Sequence, residues 1–148
     1  MIIEKNLNLP ASTQDVWRKI ENMEAVIRCM PGVEEVNASG DNKWHIVIKQ
    51  KVGFISATFD AEMKVISWQP PSHLEAAVDA TGRKGLGKAL MTMNIDLIAA
   101  SEKETLAKYR SDVTLSGNIA TFGQKVLGGK TEQMANGFAE AFTKSLTG

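Results

Sequence analysis

The sequence is poor in the residues on which disulfide scaffolds, metal sites and many catalytic centres depend. It has one cysteine and two histidines in 148 residues. Cys29 has no partner for an internal disulfide, and a single thiol offers none of the spacings of a zinc site. His45 falls on the polar face of a strand and His73 follows a proline turn, so the two are not placed to share a metal. We expect no metal, no cofactor and no serine–histidine–acid centre.

A surplus of charge of one sign is also missing. Seventeen basic residues face 17 acidic ones, so the formal net charge is zero. Without a basic excess to neutralise phosphates, no nucleic-acid partner is expected, and composition gives no support for a polybasic membrane patch.

Long apolar segments are absent as well. No apolar run approaches the roughly 18 residues of a membrane span. The first residues lack the basic region and apolar run of a signal peptide, and the single cysteine suits a reducing compartment. We expect a cytoplasmic protein, with peripheral contact at the membrane as the alternative.

What remains is an ordinary globular composition, with 43% hydrophobic and 23% charged residues. A chain of this length fits one domain with a real core. The first residues predict a strand over 2–9, a helix begun by the capping pattern at Ser12, and a second short helix over 24–30 that Pro31 stops.

From Val33 to Leu115 apolar and polar residues alternate with a period of two, which predicts six strands. The turns between them are short and polar, which favours an antiparallel meander with one apolar face. Ile119 to Leu146 predicts a long helix whose apolar stripe covers that face. The expected architecture is α+β: a helix-grip fold, in which a curved antiparallel sheet of about seven strands wraps on the C-terminal helix and two short helices follow the first strand.

The inward face of the predicted sheet is thinly filled. Its alanines and methionines occupy places where a tight core usually has larger β-branched residues. A dry void of a few hundred Å³ costs several kcal/mol at about 24 cal/mol per Å³, so a cavity here would hold a ligand. The alternative is that the alanines lie where the helix crosses closest; the pattern leaves both open.

The candidate ligand-binding residues are the inward residues of the strands and the long helix: Ala57, Phe59, Ala61, Met63, Leu74, Ala76, Val78, Met91, Met93, Ile95, Tyr109, Ser111, Phe122, Val126, Met134 and Phe138. The candidate cavity mouth consists of Met30 and Pro31 together with a glycine loop at Gly82, Gly85 and Gly87. That loop is either a flexible hairpin turn or a mobile flap at the cavity mouth, whose cations Arg83, Lys84 and Lys88 could meet an anionic head group or lipid surface. Tyr109 or Ser111 would satisfy one polar atom of the ligand.

Two other motifs bear on chemistry. Gly128-Gly129-Lys130-Thr131 resembles the end of a phosphate-binding loop, but its opening glycine is missing and it lies inside a helical pattern. The paired glycines are expected to bend the helix or to let it approach the sheet. Tyr109 as a general acid is the enzymatic alternative to ligand binding.

Several segments together resemble the family of the carbon monoxide dehydrogenase G-subunit. They are Val16-Trp17, Arg28-Cys29-Met30-Pro31-Gly32-Val33-Glu34, Lys51-Val52-Gly53 followed by Ala57-Thr58-Phe59, and Phe122-Gly123-Gln124 with the later Phe138. The family belongs to the START-like (SRPBCC, birch-pollen-allergen-like) superfamily. The resemblance spans nearly the whole chain and implies one START-like ligand-binding domain over residues 1–148.

The resemblance also implies a function. It implies a hydrophobic cavity for a quinone, lipid or fatty acyl chain, and an accessory role beside a molybdenum-containing dehydrogenase of the carbon monoxide dehydrogenase type. Many family members continue into a membrane-binding tail, whereas this sequence stops at Gly148. We therefore expect at most transient membrane contact. A further alternative is that the protein is an assembly factor that docks on its partner by its surface and holds no ligand. The family supplies no catalytic residues.

Overall fold

The structure, a computed structural model, describes residues 1–147. Within them, seven strands, three α-helices and one 3-10 helix follow each other along the chain. They are β1 (Ile2–Leu9), α1 (Thr13–Glu21), α2 (Met23–Arg28), β2 (Val33–Gly40), β3 (Lys43–Val52), β4 (Ile55–Gln69), β5 (His73–Gly82), β6 (Gly87–Ser101), β7 (Glu104–Ser116), the 3-10 helix (Gly117–Phe122) and α3 (Gln124–Thr147).

The strands form one antiparallel sheet in the order β1-β7-β6-β5-β4-β3-β2. Strands β2 to β7 are a meander joined by short turns, as the alternation predicts. β1 pairs with β7, with Ile3 opposite Ser111 and Lys5 opposite Tyr109. The expected helix-grip architecture is confirmed.

Local signals explain the two short helices between β1 and β2. The Ser12 hydroxyl accepts a hydrogen bond from the Asp15 amide at 3.2 Å and begins α1. The Asn22 side chain caps α2 in the same way, through the Ala25 amide at 3.4 Å. Val16 and Ile20 of α1 are buried in the core.

One end of the space between sheet and α3 is filled by large side chains. Trp17 of α1 meets Trp68 of β4 edge to face, with ring centroids 5.8 Å apart. On α3, the Phe138 and Phe142 rings stack at 6.0 Å. Leu9 is 1% exposed and belongs to the same core.

The long helix is shorter than its apolar stripe predicts. It begins at Gln124 and not at Ile119, because Gly123 has a φ of +87° and separates it from the 3-10 helix. Its 24 residues span about 36 Å.

The paired glycines do not bring α3 close to the sheet. A Cβ built on Gly128 or Gly129 meets nothing within 4 Å. The close approach occurs instead at Gly137, where a Cβ would lie 2.6 Å from Cγ of Pro31 in the α2–β2 loop. This loop and α3 therefore meet at a residue that has no side chain.

Candidate functional site

A cavity of about 250 Å³ lies between the sheet, α2 and α3. Its walls are almost entirely apolar, with α2 contributing Met23, Val26 and Ile27. The strands supply most of the remaining surface.

Short side chains in register produce the space. Ala61 of β4, Ala80 of β5 and Ala89 of β6 stand opposite one another across three neighbouring strands. All three line the cavity, as does Ala76 on β5. The helix does not fill the room that these alanines leave, so the alternative of closest helix crossing does not hold for them.

Two of the polar side chains at the cavity, Tyr109 and Ser111, lie on β7. Ser111 is 1% exposed and lines the cavity. Its Oγ has no hydrogen-bond partner in the part of the chain that the structure describes. Tyr109 lines the cavity two residues earlier on the same face, and the two hydroxyls approach one another without meeting the geometry of a hydrogen bond.

Burial raises the pKa of Tyr109, and the nearby Ser111 side chain opposes that rise more weakly. An ordinary tyrosine has a pKa near 10, so the hydroxyl keeps its proton at neutral pH. In the cavity it is therefore equipped to donate a hydrogen bond.

Opposite Tyr109 on β1, an ion pair ties the sheet to the helix. Lys5 Nζ lies 2.6 Å from Glu132 Oε2 of α3. The neighbouring Thr131 lines the cavity, but its hydroxyl donates to backbone carbonyls of its own helix, 2.8 Å from that of Leu127. Ser111 thus remains the unpartnered buried hydroxyl at this wall.

A second, smaller cavity of about 50 Å³ continues toward the filled end of the molecule. It shares Leu74, Ile95 and Tyr109 of the sheet and Phe138 of α3 with the main cavity. Tyr109 therefore stands where the two spaces adjoin.

Most of the candidate ligand-binding residues are walls of the main cavity. Those that line it are Phe59, Ala61, Met63, Leu74, Ala76, Val78, Met91, Met93, Ile95, Tyr109, Ser111, Met134 and Phe138. Their contact with a ligand stays a prediction.

Ala57, Phe122 and Val126 do not line the cavity, so their placement there is wrong. Leu127 faces the cavity. Val126, the preceding residue, therefore points to a different side of the helix and is 42% exposed. Phe122 belongs to the 3-10 helix and stands over Gly53, where a Cβ would be 3.3 Å from its ring. Ala57 is buried in the sheet, opposite Gln50.

The candidate mouth is only partly at the cavity. Met30 lines it, whereas Pro31 does not and packs against Gly137 of α3. Gly82, Gly85 and Gly87 are not cavity walls, because their turn is held against the 3-10 helix. Asn118 Nδ2 donates to the Gly85 carbonyl at 2.9 Å, and the Ile119 amide donates to the Leu86 carbonyl at 2.6 Å.

Sequence reasoning missed several walls. Gln50 lines the cavity and donates from Nε2 to the Pro31 carbonyl; it shares a strand face with Ile46 and Ile48, so the alternation of β3 carried the signal. Lys130 and Thr131 do not form a phosphate loop, yet they lie one helical turn before Met134 and line the cavity beside it.

Both histidines lie outside the cavity and pair with a carboxylate. His45 Nδ1 lies 2.6 Å from Glu62 Oε1, and His73 Nδ1 lies 2.8 Å from Asp96 Oδ1. Burial raises the pKa of the Cys29 thiol. Among residues 1–147, no group of three or more His, Cys, Asp or Glu side chains has an arrangement that would hold a metal ion.

A curved antiparallel sheet that grips a long C-terminal helix over an apolar cavity is a START-like, helix-grip fold. Within that class, the chain belongs to the carbon monoxide dehydrogenase G-subunit (CoxG) family, whose model matches residues 6–147. No curated protein matches the chain by sequence.

Solved structures are similar in fold at low sequence identity. A conserved protein from Geobacillus kaustophilus has a TM-score of 0.91 at 22% identity, covering 99% of this chain and 95% of that one. A START superfamily protein from Mycobacterium smegmatis has a TM-score of 0.62 at 13% identity, covering 97% of each chain. The ZhuI aromatase/cyclase from Streptomyces sp. R1128 has a TM-score of 0.71 at 12% identity, covering 99% of this chain and 93% of that one.

The helices of residues 1–147 give no candidate for a membrane span, since none combines the necessary length and apolar character.

Proposed function

We propose that this protein binds a hydrophobic small molecule bearing a hydrogen-bonding group in the cavity between sheet and α3. The observation that carries the proposal is an apolar cavity of about 250 Å³ with an unpartnered buried hydroxyl, Ser111 Oγ, at its wall. An apolar space with a few convergent polar groups is the usual form of a small-molecule site.

The energetic cost of an empty cavity supports an occupant. At about 24 cal/mol per Å³, a dry space of about 250 Å³ costs about 6 kcal/mol. This is comparable to the whole stability of a typical domain. An unsatisfied buried hydroxyl adds about 1–3 kcal/mol. A ligand that fills the space and bonds to Ser111 would recover both terms.

The ligand class follows from size and polarity. Ligand pockets usually measure about 300–1,000 Å³, so a space of about 250 Å³ fits a quinone ring or a short acyl segment better than a whole lipid. A quinone carbonyl would accept a hydrogen bond from Tyr109 or Ser111. Burial of its rings at roughly 25 cal/mol per Å² would supply the affinity.

Family membership supports an accessory role beside a molybdenum-containing dehydrogenase of the carbon monoxide dehydrogenase type. In that role the protein would present a lipophilic electron acceptor to its partner. A purified dehydrogenase of this type should reduce a quinone faster when the quinone is supplied bound to this protein than when the quinone is free in solution. Equal rates at equal quinone concentration would count against the role.

The first test is to extract the purified protein with organic solvent and analyse the extract by mass spectrometry. A stoichiometric lipophilic species would name the ligand class. The protein freed of it is then titrated with 2-methyl-1,4-naphthoquinone and, as a matched probe without carbonyls, 2-methylnaphthalene. A protein that arrives empty and binds neither these probes nor decanoic acid would contradict the proposal.

A matched variant tests the polar anchor. Ser111→Ala should weaken quinone binding by roughly twofold to tenfold, the value of one hydrogen bond, and leave 2-methylnaphthalene binding unchanged. Equal weakening of both probes would mean that the substitution distorts the cavity and that Ser111 does not recognise the carbonyl.

An enzymatic function is the second candidate, since Tyr109 and Ser111 place two hydroxyls at the cavity. A START-like cyclase, dehydratase or hydrolase would use Tyr109 as general acid. Its raised pKa favours hydrogen-bond donation over proton release near neutral pH. If any turnover is detected, an unchanged rate in Tyr109→Phe would exclude this role for Tyr109.

A further inference from the structure

One end of the molecule carries a protruding apolar tip. Phe54, in the turn between β3 and β4, is fully exposed, and the next residue, Ile55, is 39% exposed. Val126, on the first turn of α3, is 42% exposed. The β3–β4 hairpin meets the 3-10 helix that precedes α3 at this end, since a Cβ on Gly53 would touch the Phe122 ring at 3.3 Å. We call Phe54, Ile55 and Val126 the apolar tip.

A third segment reaches the same end. The turn between β5 and β6 is held on the 3-10 helix by the hydrogen bond from Asn118 to Gly85 at 2.9 Å. Gly87 and Gly117 also approach closely there, because a Cβ on Gly117 would lie 2.9 Å from Cα of Gly87. The β3–β4 hairpin, the β5–β6 hairpin and the start of α3 therefore form one surface.

Basic residues predominate on this surface, and the acidic residues that pair with them lie on neighbouring parts of the strands. Residues 49–59, 81–90 and 114–131 contain seven basic residues and no acidic one, although the whole chain is formally neutral. Arg83 and Lys88 are neutralised by Asp60 at 2.9 Å and Asp79 at 3.0 Å.

Three exposed lysines near the apolar tip keep their charge unpaired. Within residues 1–147, Lys51, Lys84 and Lys125 take part in no ion pair. All 17 acidic residues of the chain lie outside the three segments. The surface therefore complements an anionic partner.

We infer that this end of the molecule docks on an anionic lipid membrane. Phe54 enters the acyl boundary, and Lys51, Lys84 and Lys125 contact the headgroups. Exposed apolar side chains flanked by lysines are the pattern of interfacial membrane binding. A standard protein interface needs about 800 Å² of surface on each partner, whereas three protruding side chains need only a deformable apolar medium.

The same end adjoins the cavity. Val52, Ile119 and Leu127 line it, and they stand next to the β3–β4 turn, in the 3-10 helix and beside Val126. Docking would therefore bring the cavity to the bilayer from which a lipophilic ligand comes. The docking itself stands without the proposed cavity ligand.

The test is sedimentation of the full chain with large vesicles of phosphatidylcholine containing 30% phosphatidylglycerol. Association should be seen with these vesicles and not with pure phosphatidylcholine, and it should fall in 0.5 M salt because the charges are then screened. Phe54→Ser should weaken association about tenfold or more, since it removes the insertion of a phenyl ring. Ile66→Ser, at an exposed position of β4, is the matched control and should have no effect.

The charge contribution has its own control. Replacing Lys51, Lys84 and Lys125 together by glutamine should abolish the preference for anionic vesicles. The same change at Lys43, Lys64 and Lys108, which lie elsewhere on the sheet, should preserve it. Absence of association, or equal association of Phe54→Ser, would overturn the inference. A dehydrogenase complex that depends on Phe54 without vesicle binding would overturn it in favour of a protein partner.

Failure of this inference is distinct from failure of the proposed function. Naphthoquinone titration without vesicles should be the same for Phe54→Ser and the unchanged protein, because Phe54 does not line the cavity. An unaltered thermal transition will show that the variant is folded.

Discussion

At the scale of single residues, the buried polar side chains divide into two kinds. Thr105 donates to the Ala11 carbonyl at 2.8 Å, and Gln50 donates to the Pro31 carbonyl, so both tie parts of the fold together. Ser111 is as deeply buried as Thr105 and bonds to nothing described in residues 1–147. The fold gives the Ser111 hydroxyl no structural role, and for this reason Ser111 indicates the ligand site.

Tyr109 offers a direct spectroscopic readout of the cavity, because it is the only tyrosine in the chain. Burial raises its pKa, so absorbance at 295 nm should titrate with a midpoint above the ordinary value of about 10. Bound naphthoquinone should move the midpoint higher by displacing solvent from the ring. A midpoint at the ordinary value, unchanged by ligand, would place the hydroxyl in solvent.

The same shift makes stability depend on pH. A phenol whose pKa is higher in the folded than in the unfolded chain makes its full contribution to stability at pH values below the unfolded pKa, which is near 10. This contribution is lost as the pH rises from there through the folded pKa. Tyr109→Phe lacks the group, so its stability should fall less between pH 9.5 and 11 in urea titrations.

At the scale of elements, sequence patterns predicted the strands and failed at the start of the long helix. Alternation and short turns were enough for β2 to β7, because each strand has one buried face. The stripe from Ile119 also indicated helix, since Phe122 and Val126 keep a four-residue spacing. The positive φ of Gly123 prevents a continuous helix from Ile119. The spacing of apolar residues carries no information about φ.

The helical glycines provide a matched pair for the contact between α3 and the α2–β2 loop. Gly129→Ala should stabilise the fold by up to about 1 kcal/mol, because alanine is the better helix former and open space surrounds the position. Gly137→Ala should instead destabilise it by about 1–3 kcal/mol, because the new Cβ meets Pro31. Urea unfolding of the two variants measures both. Stabilisation by both would show that the loop gives way without cost.

At the scale of the whole molecule, the two ends of the fold differ in ways that composition conceals. A net charge of zero argues against a basic surface, yet the three segments at the apolar tip contain no acidic residue. Likewise, an ordinary content of apolar residues does not reveal that the end around Phe142 is filled, whereas the region over Ala61, Ala80 and Ala89 is hollow. The alternation identified these alanines as inward, but the volume above them depends on how far α3 stands from the sheet, which no local pattern encodes.

This hollow region predicts opposite effects for the same substitution at two buried alanines. Ala76 is 2% exposed and lines the cavity, whereas Ala57 is 3% exposed and does not. Ala76→Leu should fill empty space and raise the free energy of unfolding by about 1–2 kcal/mol. Ala57→Leu should overpack the sheet and lower it by about 1–3 kcal/mol.

Ligand binding distinguishes a true cavity from a loosely packed core. A ligand at 100 times its dissociation constant stabilises the native state by about 2.7 kcal/mol, so naphthoquinone should raise the Tm of the unchanged protein. Ala76→Leu should lose most of that shift, because the leucine occupies the volume the ring needs. Ala77→Leu, on the opposite face of β5, should retain it. Equal loss of stability in Ala76→Leu and Ala57→Leu, with an unchanged ligand shift, would mean that the space over Ala76 closes in solution.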